Sequence, residues 1–233
     1  MDTRPAFASL PPRRRFPRAA WLALAMLLVG ALQAWLVLGP AEGRFRADIA
    51  LAGLLKPLPP AEWWRLLTAP LLHGSVLHLT MNLMAFWALA QMLEQLGPRW
   101  WVGAVWLVGA VAGGLASTFW TVGPSIGASG GIVALMGFLW VLGWRWQLPG
   151  LHRGMLQAAL LTLGLGLLLP DLIDNAAHGG GLLAGVLLGW LLVPDPRRPR
   201  GLSHARPLAW LVDVALALQV GWTCWWLLWP LRN

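Results

Sequence analysis

Seven long apolar runs, separated by short polar breaks, fill most of this 233-residue chain. They fall near 19–40, 71–93, 100–122, 127–146, 154–170, 176–193 and 208–230, and they match the ~20 residues a helix needs to cross the hydrocarbon of a bilayer. The fifth and sixth are short. The segment LPDLIDN between them, with Pro170 and two acids, reads as a break between two spans. Backbone in a bilayer must satisfy its own hydrogen bonds, and the alternating strands of a barrel are absent, so the spans are expected to be helices. The pattern predicts an all-α membrane protein, a polytopic helical bundle with an outer loop of about 41–70 as its one long connection. Residues 1–18 read as a basic, disordered cytoplasmic tail, 19–193 as a six-span core, and 194–233 as a linker with an extra C-terminal span.

Composition supports this reading. Hydrophobic residues make up 58% of the chain and charged ones 11%, where a soluble domain carries roughly a quarter charged. With the N-terminus in the cytoplasm, Arg4, Arg13, Arg14, Arg15, Arg18, Arg99, Arg145, Arg153, Arg197, Arg198, Arg200 and Arg206 lie inside, twelve of the 17 basic residues. Arg44, Arg46, Lys56, Arg65 and Arg232 lie outside with Asp171 and Asp174. The positive-inside rule then orients the chain N-in, C-out. Arginines facing anionic lipid account for the net charge of +8, and no nucleic-acid partner is needed. The 18 tryptophans gather at span ends, among them Trp63, Trp64, Trp100, Trp101, Trp144, Trp146, Trp225, Trp226 and Trp229, as in an interfacial belt. Tyrosine is absent and Cys224 is alone, so neither a tyrosine base nor an intramolecular disulfide is available. The N-terminal segment lacks a signal-peptide cleavage pattern; its arginine-rich, acid-poor character also fits an organellar transit peptide.

Polar groups at membrane depth are costly and mark function by default. The candidates are His73, His78 and Asn82 in the second run, Ser129 in the fourth, His178 in the sixth and Asp213 near the start of the seventh. The second, fourth and sixth spans all run inward from the outer face. Ser129 and His178, each about two residues into its run, therefore share one depth, and the polar residues of the second span join them. A serine beside an imidazole forms a nucleophile and general base. Gly181, Gly185 and Gly189 follow His178 on one helical stripe, and Gly130, Ala134 and Gly137 offer the fourth span a matching small-residue face for close packing.

His78 and Asn82 are four apart on one helix face, as two donors aimed at one developing oxyanion would be. His73, five before His78, points elsewhere and reads as a helix-to-helix contact. No HExxH pattern supports a metal. In AEWWRLLTAP, Glu62 sits three before Arg65, the spacing of an ion pair within a helical turn, with two tryptophans as anchors. Asp213 is placed to pair with Arg206 or snorkel to the surface. His152 and His204 read as cytoplasmic loop residues.

Taken together the chain resembles the rhomboid intramembrane serine proteases. The resemblance rests on Trp64-Arg65, on the HxxxxHxxxN spacing of His73, His78 and Asn82, on GASG at 127–130 and on AHGGGLLAG at 177–185, preceded by Asp174 and Asn175. It implies a six-helix core, Ser129 as nucleophile at the base of an outward-facing aqueous cavity and His178 as base. It also implies an oxyanion site from His78, Asn82 and the Ser129 N–H, and no cofactor or metal. Gly127 would leave the approach to that N–H open. The implied substrates are single-span membrane proteins whose helices unwind near the outer surface. Such proteins and membrane lipids are the implied partners, and a bacterial inner membrane the implied location. The sequence departs from the family's common pattern in its seventh span and in Val133, where an aromatic ring often stacks on the base. Two other readings stay open: a non-catalytic relative that binds membrane helices, and a rhombosortase-like processing protease. Oligomeric state is not legible.

Overall fold

The computed structural model describes residues 17–38, 52–195 and 206–229. The expectations for the N-terminal tail, for the stretch with Arg44 and Arg46, for the linker with His204 and for Arg232 fall outside the described residues. So does the side chain of Arg206, the suggested partner of Asp213. Among the described residues eight α-helices follow in chain order: α1 (Arg18–Leu38), a one-turn α2 (Arg65–Thr68), α3 (Val76–Leu96), α4 (Trp100–Trp120), α5 (Ser129–Arg145), α6 (Pro149–Leu168), α7 (Asn175–Leu192) and α8 (Arg206–Leu228). Six of them are long and apolar enough to cross a membrane, and the apolar α5 is slightly shorter. The chain is a multi-pass helical membrane protein, as the apolar runs predict.

Helix boundaries depart from the apolar runs where local chemistry overrides hydropathy. The second apolar run predicts helix from about 71, but α3 starts at Val76. Leu72 is extended, and Ser75 caps the helix, its Oγ accepting the His78 N–H at 3.1 Å. His73 therefore lies in the loop before the helix, not on it. Pro149 opens α6 five residues before its apolar run begins, as proline does at the first helical position. This puts His152 on a helix instead of in a loop; its ring stacks on Trp140 and its Nδ1 lies 3.1 Å from Trp140 O. The LPDLIDN break separates α6 from α7, whose N-cap Asp174 accepts the Ala177 N–H at 2.9 Å.

α5 is buried around nearly its whole circumference and forms the centre of the bundle, while α6 is peripheral. Trp101 packs edge-on against Phe138 at 5.1 Å, and Trp100 and Trp106 are buried as well. Trp100 and Trp101 are thus core residues, not members of an interfacial belt. On α7, a Cβ on Gly181 would run into Gly130 O and one on Gly185 into Ala134 O, so the α5 and α7 backbones are in direct contact. The sequence pattern missed a third partner, α4. A Cβ on Gly113 would come within 2.6 Å of Ala177 O, and one on Gly180 within 2.8 Å of Ala112 O.

Residues 52–75 fold over the N-terminal end of α5. Leu54 and Ser125 exchange both backbone hydrogen bonds, at 3.0 and 2.9 Å. Arg65 Nε meets Glu62 Oε2 at 2.5 Å, its Nη1 donates to Gly53 O at 2.8 Å, and its guanidinium lies over the Trp64 ring. Thr68 Oγ1 donates to Ala52 O at 2.5 Å. One small helix is thereby folded onto its own preceding chain.

Candidate active site

Ser129 is the first residue of α5 and His178 lies in the first turn of α7. The Gly130–Gly181 contact, one residue after the serine and three after the histidine, brings those two turns together. Both side chains sit at the same end of the bundle. No hydrogen bond joins them in this structure. His178 is buried, and its Nδ1 has no hydrogen-bond partner.

The turn into α5 is built around Gly127. Its φ of +120° is one that side-chain-bearing residues rarely adopt. A Cβ there would also press on the His78 ring, 2.8 Å from Cε1 and 2.9 Å from Nε2, with Asn82 Nδ2 at 3.9 Å. The serine loop therefore lies directly against the His78–Asn82 face of α3. The Gly127 N–H is held by Ala69 O at 3.0 Å. His78 Nδ1 accepts the Gly74 N–H at 3.4 Å. In a neutral ring that leaves the proton on Nε2, the nitrogen that faces the serine loop. Asn82 Nδ2 donates to His78 O at 3.1 Å, and one amide proton remains for another acceptor.

His73 is not part of this convergence. It is buried, edge-on to His78 with ring centroids 5.1 Å apart, and its Nδ1 is 3.2 Å from Leu71 O. Burial, and then the neighbouring His78, push its pKa down to about 4 against the partial support of Leu71 O, so it is neutral at physiological pH. Its backbone pairs with Gln33 on α1: Gln33 Nε2 donates to His73 O at 3.0 Å and His73 N donates to Gln33 Oε1 at 3.1 Å.

A second polar cluster stands behind the two catalytic candidates, centred on Asp174. Its carboxylate accepts from Ser125 Oγ at 2.6 Å, from Ser117 Oγ and from the Ala177 N–H at 2.9 Å, and it meets Lys56 Nζ at 3.3 Å. Lys56 also donates to Thr121 Oγ1. Four segments meet here: the outer loop, the end of α4, the serine loop and the start of α7. The motif DNAAH pointed to Asp174, but nothing in the spacing pointed to Lys56, Ser117 or Ser125 as its partners. Gln33 and Gln219 lie in the first and last apolar runs with no ionisable residue one helical turn away, unlike Asn82 beside His78, and so do not stand out in the sequence, although burying an unbonded amide is costly.

Beside the serine loop a cavity of about 30 Å³ is lined by Gly127, Ser125, Gly130 and Ala177 among others, enough space for a water molecule. Trp64, Arg65 and Glu62 lie at one remove, in the segment that leads to Ala69.

A family profile described as the Rhomboid domain matches residues 60–195, more than half of the chain. The chain belongs to the rhomboid family. Rhomboid protease GluP of Bacillus subtilis is 32% identical over 127 residues, 53% of this chain and 25% of that protein. RHOMBOID-like protein 5 of Arabidopsis thaliana is 33% identical over 168 residues, 70% of this chain and 54% of that protein. Rhomboid protease GlpG of Pectobacterium atrosepticum is 34% identical over 145 residues, 60% and 52% respectively. The chain spans about half the length, or less, of these curated relatives. In this rhomboid the matched domain contains every candidate from Glu62 to Gly185, whereas α1 and α8 lie outside it.

Proposed function

We propose that this rhomboid is an intramembrane serine endopeptidase that cuts transmembrane helices of other membrane proteins with Ser129 and His178. The observation that carries the reading is the meeting of three helices at one turn: the serine at the start of α5, the histidine in the first turn of α7, and His78 with Asn82 pressed against Gly127.

With Nδ1 of His178 buried, Nε2 is the nitrogen that takes the Ser129 Oγ proton as Oγ attacks the scissile carbonyl carbon. The carbonyl oxygen becomes an oxyanion, held by His78 Nε2–H, the free Asn82 amide proton and the Ser129 N–H. Collapse of this intermediate breaks the C–N bond, and His178 returns the proton to the leaving amine. A water deprotonated by the same imidazole then hydrolyses the acyl-enzyme. Asp174, although one turn before His178, does not complete a triad: four donors already occupy its carboxylate. The mechanism is a dyad, and substrate binding closes the Ser129–His178 hydrogen bond, as happens in sites that are loose when empty.

A peptide bond inside a helix is shielded, so the substrates are spans carrying helix-breaking residues that unwind where water reaches them. The arginine distribution supports N-in orientation with the site opening outward, and the similarity to bacterial rhomboid proteases supports a bacterial inner membrane. The test is proteolysis of a panel of such spans by the purified protein in liposomes. Ser129→Ala and His178→Ala are each expected to lower the rate by at least about 10³-fold, and a fluorophosphonate should label Ser129 in the wild type. Cleavage that survives Ser129→Ala refutes the mechanism. Labelling without cleavage of any span favours the rhombosortase-like alternative, and neither labelling nor cleavage favours the helix-binding one.

A further inference from the structure

We infer that Gln33 and Gln219, on the two helices outside the matched family domain, hold the segment 67–73 as a strap that sets the geometry of the serine loop; this rests on the protease reading. Gln219 lies in mid-span on α8, 2% exposed, and its Nε2 donates to Leu67 O at 2.7 Å. Its Oε1 is buried and unpartnered. A residue of similar shape without an amide would avoid that cost, so the bond to Leu67 is the distinctive contribution of this side chain. Gln33, on α1, holds the other end through the two hydrogen bonds with the His73 backbone. Just before the strap, Trp226 of α8 stacks on Trp64, with ring centroids 4.3 Å apart and planes 2° from parallel.

Between the two held ends lies Ala69, whose carbonyl accepts the Gly127 N–H. Leu71 and Leu72, on the same strap, are fully buried. The strap is thus fixed at 67 by α8, at 73 by α1 and from below by the core, and its midpoint holds the peptide against which His78 rests. Releasing the end at 67 loosens the Gly127 peptide without touching the serine, the base or the oxyanion donors, and releasing the end at 73 also frees Gly74, whose N–H His78 Nδ1 accepts. Gln33 and Gln219 are positioning residues, and the seventh span becomes part of the active site's support.

The experiment uses the full-length protein in liposomes, with Gln219→Met and Gln33→Met to keep side-chain volume and remove the amide. Hydrogen exchange is followed in peptides covering 64–75 and 123–131, together with kcat, KM, fluorophosphonate labelling of Ser129 and thermal unfolding. Loss of one hydrogen bond of ordinary strength should speed exchange in both peptides by roughly tenfold. It should lower kcat and labelling about tenfold, with KM within about twofold and exchange in α7 unchanged. Trp226→Phe, which leaves both amides in place, should raise exchange in the same two peptides to a smaller degree, and it serves if a glutamine variant does not fold. Unchanged exchange in 123–131, or faster exchange with kcat within about twofold of wild type, overturns the inference. A wild type that neither cleaves nor labels overturns the protease reading instead, and the exchange measurement still decides whether the strap is held.

Discussion

Gly127 is where backbone conformation and side-chain placement depend on the same missing atom. Its φ of +120° disfavours any side chain, and a Cβ would push on the His78 ring at 2.8 Å. Gly127→Ala is expected to cost about 1–3 kcal/mol of stability from strain. Displacing one oxyanion donor should lower kcat by about 10²–10³-fold while substrate binding changes little, measurable as kcat and KM beside a melting curve. A variant with wild-type kcat would show that His78 does not act at this loop. Ser129, His178 and His78 stand out in the sequence as candidates because equal depth on separate helices is a geometric condition that few residues meet. The amides and hydroxyls that support them do not. Gln33, Gln219 and Ser125 act through backbone carbonyls or through a distant carboxylate, and neither kind of partner leaves a mark in residue spacing.

At the scale of elements, the helices were legible and their first turns were not. Hydropathy cannot see that Ser75 caps α3 or that Pro149 starts α6, and those two residues move His73 off a helix and His152 onto one. Asp174 is the cap with the widest reach, because α7 starts on it and three other segments bind its carboxylate. Burial pushes that carboxyl up, but Ser117, Ser125 and the Ala177 N–H, with Lys56 beside it, together hold it below the ordinary 3.8. A carboxylate depressed in the folded state stabilises fully above its unfolded pKa, and the stabilisation is lost as pH falls through the lower folded value. Asp174→Asn keeps an oxygen for the Ala177 N–H but leaves buried Lys56 without its counter-charge. It should cost about 1–3 kcal/mol at neutral pH and remove that part of the acid loss that lies below 3.8. Melting curves of both proteins between neutral pH and pH 3 test this; parallel curves of equal stability would show that the charge does not hold the four segments together. The glycine stripe on α7 was legible as a packing face, but only one of its two partners was, because the small residues of α4 flank no ionisable group at the depth of the proposed dyad.

For the molecule as a whole, the two helices that carry the proposed dyad are also the two shortest of the long helices described. α5 has 17 residues and α7 has 18, while α3 and α4 have 21 each and α8 has 23. At ~1.5 Å per residue, α5 spans about 26 Å and α8 about 35 Å, against about 30 Å of hydrocarbon. The C-terminal ends of α5 and α7 are fastened together: Arg145 donates to Val193 O and lies over the Trp190 ring at 4.7 Å. We propose that the shortfall falls at the N-terminal ends and sets Ser129 and His178 below the level that the longer helices reach. A thinner bilayer brings water closer to these residues without altering a contact within the protein. Labelling of Ser129 by a charged fluorophosphonate should accordingly accelerate severalfold as acyl chains shorten by about 5 Å in total thickness, since mismatch is worth only fractions of a kcal/mol per ångström. The rate in detergent, where thickness adapts to the protein, should not depend on the detergent's chain length. A rate that stays flat across bilayers of roughly 14-carbon to 20-carbon chains would mean that water reaches the serine by a path independent of helix length, and a rate that rises with thickness would contradict the placement of Ser129 below the membrane surface.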